Sequence, residues 1–230
     1  MRPLPAALIA AVLLLSACRH GDAQERLTGT LQVPVRVLGP DGIEQPREAA
    51  NLLRYALALV PATLFGMADR TTLRQLAADK TRIALITDEL SIWAKAGARP
   101  WLPGADETLQ ITPADVRVAR VMTAAFSPEG DSRLGVGFHD LAEDTNLILV
   151  YVDRACTVVG HHGAESKADD KTAAPAGNDA GASSGGHSVS SAVQVNLRFA
   201  APGLYWVRTA LDQPIAVVAP TSPALEVHTR

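Results

Sequence analysis

The strongest constraint on the fold is the repeated alternation of apolar and polar residues between Val116 and Val218, with turn signals closing each stretch. Val116, Val118 and, after a slip, Val121 lead to Phe126. Pro128-Glu129-Gly130-Asp131 then turns the chain, and Leu134, Val136 and Phe138 alternate again, which predicts a hairpin. His139-Asp140-Leu141-Ala142-Glu143-Asp144 reads as an acidic turn. Asn146 to Val152 is the clearest strand, and Val152-Asp153-Arg154-Ala155 bends it into Cys156 to Val159. Val193, Val195, Leu197 and Phe199 alternate cleanly, Pro202-Gly203 turns the chain, and Leu204–Val207 and Ile215–Val218 supply two last strands. Side chains that alternate in this way fall on opposite faces of a sheet. Turn signals this evenly spaced favour an antiparallel sandwich. An apolar run such as Asn146–Val152 suits a strand buried on both faces.

Upstream the pattern is mixed. Val33, Val35 and Val37 alternate into Pro40-Asp41-Gly42, a strand ending in a tight turn. Pro34 lacks an amide donor and points to an edge strand or the start of one. These valines and their turn resemble the strand and turn of carboxypeptidase-regulatory and other prealbumin-like sandwiches, a resemblance that implies nothing beyond strand and turn. Pro46 can open a helix, and Leu52, Leu53, Ala56, Leu57 and Val60 follow at helical spacing, widened by Tyr55 and Leu59 and ended by Pro61. Asp69 or Thr71 can cap a second helix carrying Leu73, Leu76 and Ala77. Ile83–Ile86 reads as a short buried strand, and Ser91–Ala98 as a loop or short helix. The fold class expected is α+β: a mostly antiparallel β-sandwich of about six to eight strands with two N-terminal helices and a disordered Gly/Ala/Ser insertion.

The first residues have a different character. Arg2 precedes an apolar run from Ala6 to Leu15 and the small residues Ser16 and Ala17. That is the layout of a secretory signal. The run is too short to cross a hydrocarbon layer of about 30 Å, which takes roughly 20 residues. Leu15-Ser16-Ala17-Cys18 resembles the lipobox of bacterial lipoproteins. The resemblance implies cleavage before Cys18, a diacylglycerol on its sulfur, acylation of its amine, and anchoring to a membrane of the cell envelope. Arg19, rather than aspartate, follows the cysteine, and by the same resemblance the destination is the outer membrane. The alternative is ordinary signal cleavage after Ala23, which gives a soluble periplasmic or secreted protein. The domain organisation expected is a signal over 1–17, an anchor and tether over 18–29, one domain over 30–220 and a polar tail over 221–230.

Removing residues 1–17 takes away Arg2 and no acid, so 20 Lys and Arg remain against 24 Asp and Glu, a balance of −4. A near-neutral chain without a basic block argues against a nucleic-acid partner. Beyond the signal there is no apolar run of about 18 residues that would predict a membrane-spanning helix. Lipidation of Cys18 would leave Cys156 without an intramolecular partner, as a small buried side chain or else a reactive thiol or intermolecular bridge.

Residues 161–191 interrupt the strands with a Gly, Ala, Ser, Asp and Lys tract too poor in apolar groups to order itself. It carries His161, His162 and His187, with Asp169, Asp170 and Asp179 nearby, and imidazoles suit zinc, copper or nickel. The other reading of the tract is a solvated linker. Trp93, Arg99 and Trp101 around a proline-containing loop are a candidate stacking platform for a sugar or peptide, or else cover the core edge. His139, Asp140, Glu143 and Asp144 are a candidate acid–base or calcium-binding turn, or else an ordinary surface hairpin. No Gly-x-Ser-x-Gly, His-Glu-x-x-His or phosphate-loop pattern occurs. The leading expectation is a membrane-anchored, non-enzymatic envelope lipoprotein that binds or assembles with an envelope protein and needs no cofactor. The alternatives are a periplasmic metal-binding protein using the histidine-bearing insertion and an envelope hydrolase with a dispersed site.

Overall fold

The computed structural model describes residues 26–46, 48–64, 73–76, 78–79, 81–104, 107–127, 135–163, 192–210 and 213–229. In chain order these form β1 (Thr30–Leu38), α1 (Glu48–Asn51), β2 (Arg54–Pro61), β3 (Leu73–Gln75), β4 (Ala78–Asp79), β5 (Arg82–Ile86), α2 (Thr87–Gly97) and β6 (Arg99–Pro100). There follow β7 (Glu107–Thr112), β8 (Arg117–Phe126), β9 (Gly135–Asp140), β10 (Thr145–Val152), β11 (Cys156–His162), β12 (Val193–Phe199), β13 (Gly203–Arg208), β14 (Ile215–Val218) and β15 (Pro223–His228). The protein is a β-rich α+β fold with a sandwich-like arrangement and two helices among the described residues.

The strands join one mixed sheet in the order β4-β5-β1-β15-β9-β10-β13-β14-β12-β11-β7. A branch leaves this path at β10. One edge of β10 pairs with β13 along its length. The other edge is divided: Thr145–Leu147 pairs with β9, and Leu149–Val152 pairs with β8. β8 also pairs with β2, from Pro61↔Ala119 to Arg54↔Phe126. The β1–β15 and β12–β14 pairs are parallel, and the rest are antiparallel.

The central strands feed two cores because successive side chains point to opposite faces. On β10, Leu147, Leu149 and Tyr151 enter the first core, and Val150 and Val152 enter the second. On β13, Leu204 and Trp206 enter the first, and Tyr205 and Val207 the second. The first core is closed by Leu57 and Leu59 of β2, Ile83 and Leu85 of β5, and Leu225 and Val227 of β15. Helix α2 covers it with Leu90 and Ala94. The second is closed by Val158 of β11 and by Val195, Leu197 and Phe199 of β12. At the start of β13, Tyr205 Oη donates to Ala201 O at 2.7 Å and accepts from Ala201 N at 3.1 Å. A tyrosine hydroxyl tied back to the backbone just upstream is the corner device of many β-sandwiches.

The helices lie elsewhere than the periodicity suggested. Tyr55, Leu57, Leu59 and Val60 belong to β2, which is buried at every position from Tyr55 to Val60. An apolar run buried on both faces carries helical and strand spacings at once, and β2 resolves it by pairing with β3 and β8. Only Glu48–Asn51 of the expected first helix is helical. Leu73 lies in β3; Asp69, Thr71 and Ala77 fall outside the described residues. The second helix is Thr87–Gly97, around the expected Ser91–Ala98.

Four further expectations change. The partners of β9 are β10 and β15, so no hairpin joins it to β8, and the expected turn at Pro128–Asp131 lies outside the described residues. Pro34 sits inside the sheet rather than at its edge. It falls where β1 passes from β5 (Thr30–Pro34) to β15 (Val35–Leu38). The expected polar tail contains β15, flanked by β1 and β9, with Ala224, Leu225 and Val227 fully buried. The end of the expected tether is also part of the domain, since Leu27 N donates to Leu204 O at 2.9 Å.

Candidate functional site

A cavity of about 340 Å³ opens between α2 and the segment that begins the described chain. One wall is a single stripe of α2: Asp88, Ser91, Ile92 and Lys95, spaced i, i+3, i+4 and i+7. The opposite face of the helix carries Thr87, Leu90 and Ala94 into the protein. Thr87 fixes the helix start through Oγ1, which donates to Gly29 O at 2.8 Å. At the other end Gly97 lies on Leu59, where any Cβ would come within 2.7 Å of Leu59 Cδ1.

The second wall is Arg26, Leu27, Pro202 and Gly203. The Arg26 side chain runs across Gly203, whose φ is +149°, and a Cβ there would sit 2.4 Å from Arg26 Cδ. Arg26 Nη1 reaches Pro202 O at 3.5 Å. On the far side of Arg26 and Leu27 lies a second cavity of about 240 Å³, lined by Leu31, Trp206 and Pro223 among others. Arg26 and Leu27 thus separate two cavities above the first core.

Tyr151 of β10 lines the larger cavity and is only 4% exposed. Its hydroxyl has no hydrogen-bond partner among the described residues. Burial raises its pKa above the usual phenol value; Asp153 adds to the rise and Arg117 opposes it. The phenol therefore stays protonated at neutral pH, able both to donate and to accept. The cavity offers two cations, one carboxylate, two hydroxyls and an apolar rim formed by Leu27, Pro202 and Ile92, the last 73% exposed. This set suits a small ligand with an anionic group set between Arg26 and Lys95 and an apolar portion against Ile92.

The acidic turn is organised around one buried carboxylate. Asp140 is 1% exposed and accepts three backbone hydrogen bonds. Ala142 N and Ser222 N donate to Oδ1 at 3.1 and 3.0 Å, and Thr221 N donates to Oδ2 at 3.0 Å. It therefore ties the β9–β10 turn to the segment entering β15. His139 Nε2 lies 3.0 Å from Asp144 Oδ1, and Arg208 Nη1 lies 3.4 Å from Glu143 Oε2. Asp144 takes a left-handed φ of 53°. The four residues are together, but Asp140 faces the backbone and its carboxylate is occupied by amides.

The tryptophans separate. Trp93 packs partly against the first core, whereas Trp101 is 4% exposed within the second. Arg99 is exposed and donates to Ala96 O and Ala98 O. The three do not form one stacking surface, because α2 and β6 deliver the rings to different cores.

His161 and His162 lie in β11, paired with β7 and β12, rather than in a loop. As neighbours on a strand they point to opposite faces and cannot share one ion. His162 Nδ1 is 3.4 Å from Glu107 Oε1, and Glu107 Oε2 accepts from Gly104 N at 2.8 Å. His187, Asp169, Asp170, Asp179 and Cys18 fall outside the described residues. Among the described residues no group of three or more His, Cys, Asp or Glu is placed to hold a metal. Cys156 is buried in the second core, and burial pushes its thiol up to about 12, with Asp153 adding to the rise.

Sequence reasoning missed the α2 cavity. Asp88, Ser91 and Lys95 form a polar stripe visible only once the helix is placed, and Tyr151 is one residue in a continuous apolar strand. No protein-family model, curated protein or solved structure matches the chain.

Proposed function

We propose that this protein is a cell-envelope lipoprotein, held to the outer membrane through acyl chains on Cys18, and that its β-rich domain is a non-enzymatic binding module. The observation that carries the binding role is the α2 cavity, lined by the Tyr151 phenol together with the cations Arg26 and Lys95. The anchoring role is supported by Leu15-Ser16-Ala17-Cys18. Eight residue steps separate Cys18 from Arg26. An extended chain spans at most about 3.3–3.6 Å per residue, so the anchor keeps the cavity within roughly 30 Å of the acyl chains. Two or more acyl chains are enough for stable attachment. The ligand class that fits is a small anionic molecule with an apolar portion.

Metabolic labelling with palmitate tests the anchor: the full chain takes up label and Cys18→Ala does not. Equal labelling of both, or of neither, would overturn it. Native mass spectrometry of protein extracted from envelopes tests the module. A small bound species that is retained by the parent and lost in Lys95→Glu, at unchanged melting temperature, is the expected result. Identical spectra from the two proteins would remove the cavity from the proposal.

A further inference from the structure

We propose that two copies of this chain join edge to edge through β7, extending the sheet across a two-fold axis at Gln110. β7 is the last strand of the sheet path, and among the described residues its one strand partner is β11. The other ends of the sheet are strands of two or three residues, β4, β3 and β6. β7 is six residues long, and its one charged residue, Glu107, lies at its first position. It contains no proline, lysine or bulge-forming glycine, and Thr108 to Thr112 carry no charge.

Its sequence is chemically palindromic. Thr108-Leu109-Gln110-Ile111-Thr112 reads nearly alike in both directions about Gln110. Antiparallel pairing of two identical strands is isologous, and opposed residues must lie on the same face. A two-fold axis through Gln110 meets that condition at every position. Leu109 opposes Ile111 of the second copy, Thr108 opposes Thr112, and Gln110 opposes itself. Apolar pairs and threonine pairs are favoured cross-strand neighbours, and no like charges meet. Glu107 would oppose Pro113, and its carboxylate is already occupied by Gly104 N and His162.

The burial pattern agrees. Leu109 and Ile111 are half-buried against the second core, whereas Thr108, Gln110 and Thr112 are exposed. A second β7 would cover the remaining sides of Leu109 and Ile111 and make the second core continuous across the axis. The unpaired backbone groups of the edge would also gain partners.

Sedimentation equilibrium of the purified chain in density-matched detergent gives the mass. A dimer is expected, and Gln110→Lys, which sets two ammonium groups against each other at the axis, is expected to give a monomer with an unchanged far-ultraviolet spectrum. Mild oxidation of Gln110→Cys should yield a disulfide-linked dimer. Val159→Cys, which is exposed on β11 one strand in from the edge, should not. A parent that stays monomeric over the accessible concentrations would overturn the proposal. So would a dimer that Gln110→Lys leaves intact, or equal cross-linking of the two cysteine variants. If Gln110→Lys fails to fold, the cross-linking comparison decides.

Discussion

Asp140 offers the sharpest test of how the fold is held together. Its carboxylate is buried and engaged by Ala142 N, Thr221 N and Ser222 N. Asp140→Ala removes the acceptor from all three amides. Hydrogen bonds to a charged group are worth roughly 1.5–3 kcal/mol each, and an abandoned buried donor costs about 1–3 kcal/mol. Water can enter beside the part-buried turn and recover some of this, so a loss of about 3–5 kcal/mol is expected, near the top of the range for single substitutions. In a domain of this size each 1 kcal/mol lowers Tm by about 2–4 °C, which gives a fall of roughly 6–20 °C. Asp140→Asn keeps an acceptor for the two amides on Oδ1 and loses the one on Oδ2, so it should fall between parent and Asp140→Ala.

Urea denaturation followed by circular dichroism gives the global value, and amide exchange gives the local one. The amides of Ala142, Thr221 and Ser222 should lose protection together in Asp140→Ala, because one side chain serves them all. A variant within about 0.5 kcal/mol of the parent would place it among ordinary surface substitutions and refute the reasoning. So would unchanged exchange at Thr221 and Ser222.

Three more outcomes follow from particular contacts. Tyr205→Phe loses both bonds to Ala201 and should cost about 1–2 kcal/mol in the urea midpoint; an unchanged midpoint would show that the corner adds nothing. Burial raises Cys156 from 9.0 to about 12 and Tyr55 from 10.0 to about 12. In each case the unfolded chain loses its proton first, so stability is full below pH 9 and declines as pH rises toward 12. Cys156→Ala should remove the part of the decline that starts near pH 9, and a profile identical to the parent's would count against this. Gly203→Ala sets a Cβ against Arg26 Cδ at a left-handed φ, so the Leu27 amide should exchange faster while β10 amides stay protected. Equal exchange at Leu27 would show that Arg26 moves aside freely.

What could be read from the sequence divides along physical lines. Strands with one face in a core and one in water, such as β12, announce themselves by alternation, and β12 lies where it was expected. Strands buried on both faces do not. Leu52, Leu53, Ala56, Leu57 and Val60 satisfy a helical stripe across β2, and only its neighbours β3 and β8 decide otherwise. β15 is hidden for a related reason. Its inward residues are few, and its burial comes from lying between β1 and β9, chain segments about 190 and 90 residues away. The same non-locality hides function. Asp140 looks like a surface acid until the chain returns 81 and 82 residues later to offer it the amides of Thr221 and Ser222. Tyr151 looks like one more strand residue until α2 and Arg26 line a cavity with it. β7 differs from both, because its two-fold complementarity lies within five consecutive residues. The palindrome lies in the sequence, but it gains a meaning only when the topology places that strand at the end of the sheet path formed by the described residues. For this chain, a local pattern carries functional weight only when the fold leaves it unpartnered, which is why the Gln110→Lys comparison bears on the reading of the sequence as well as on assembly.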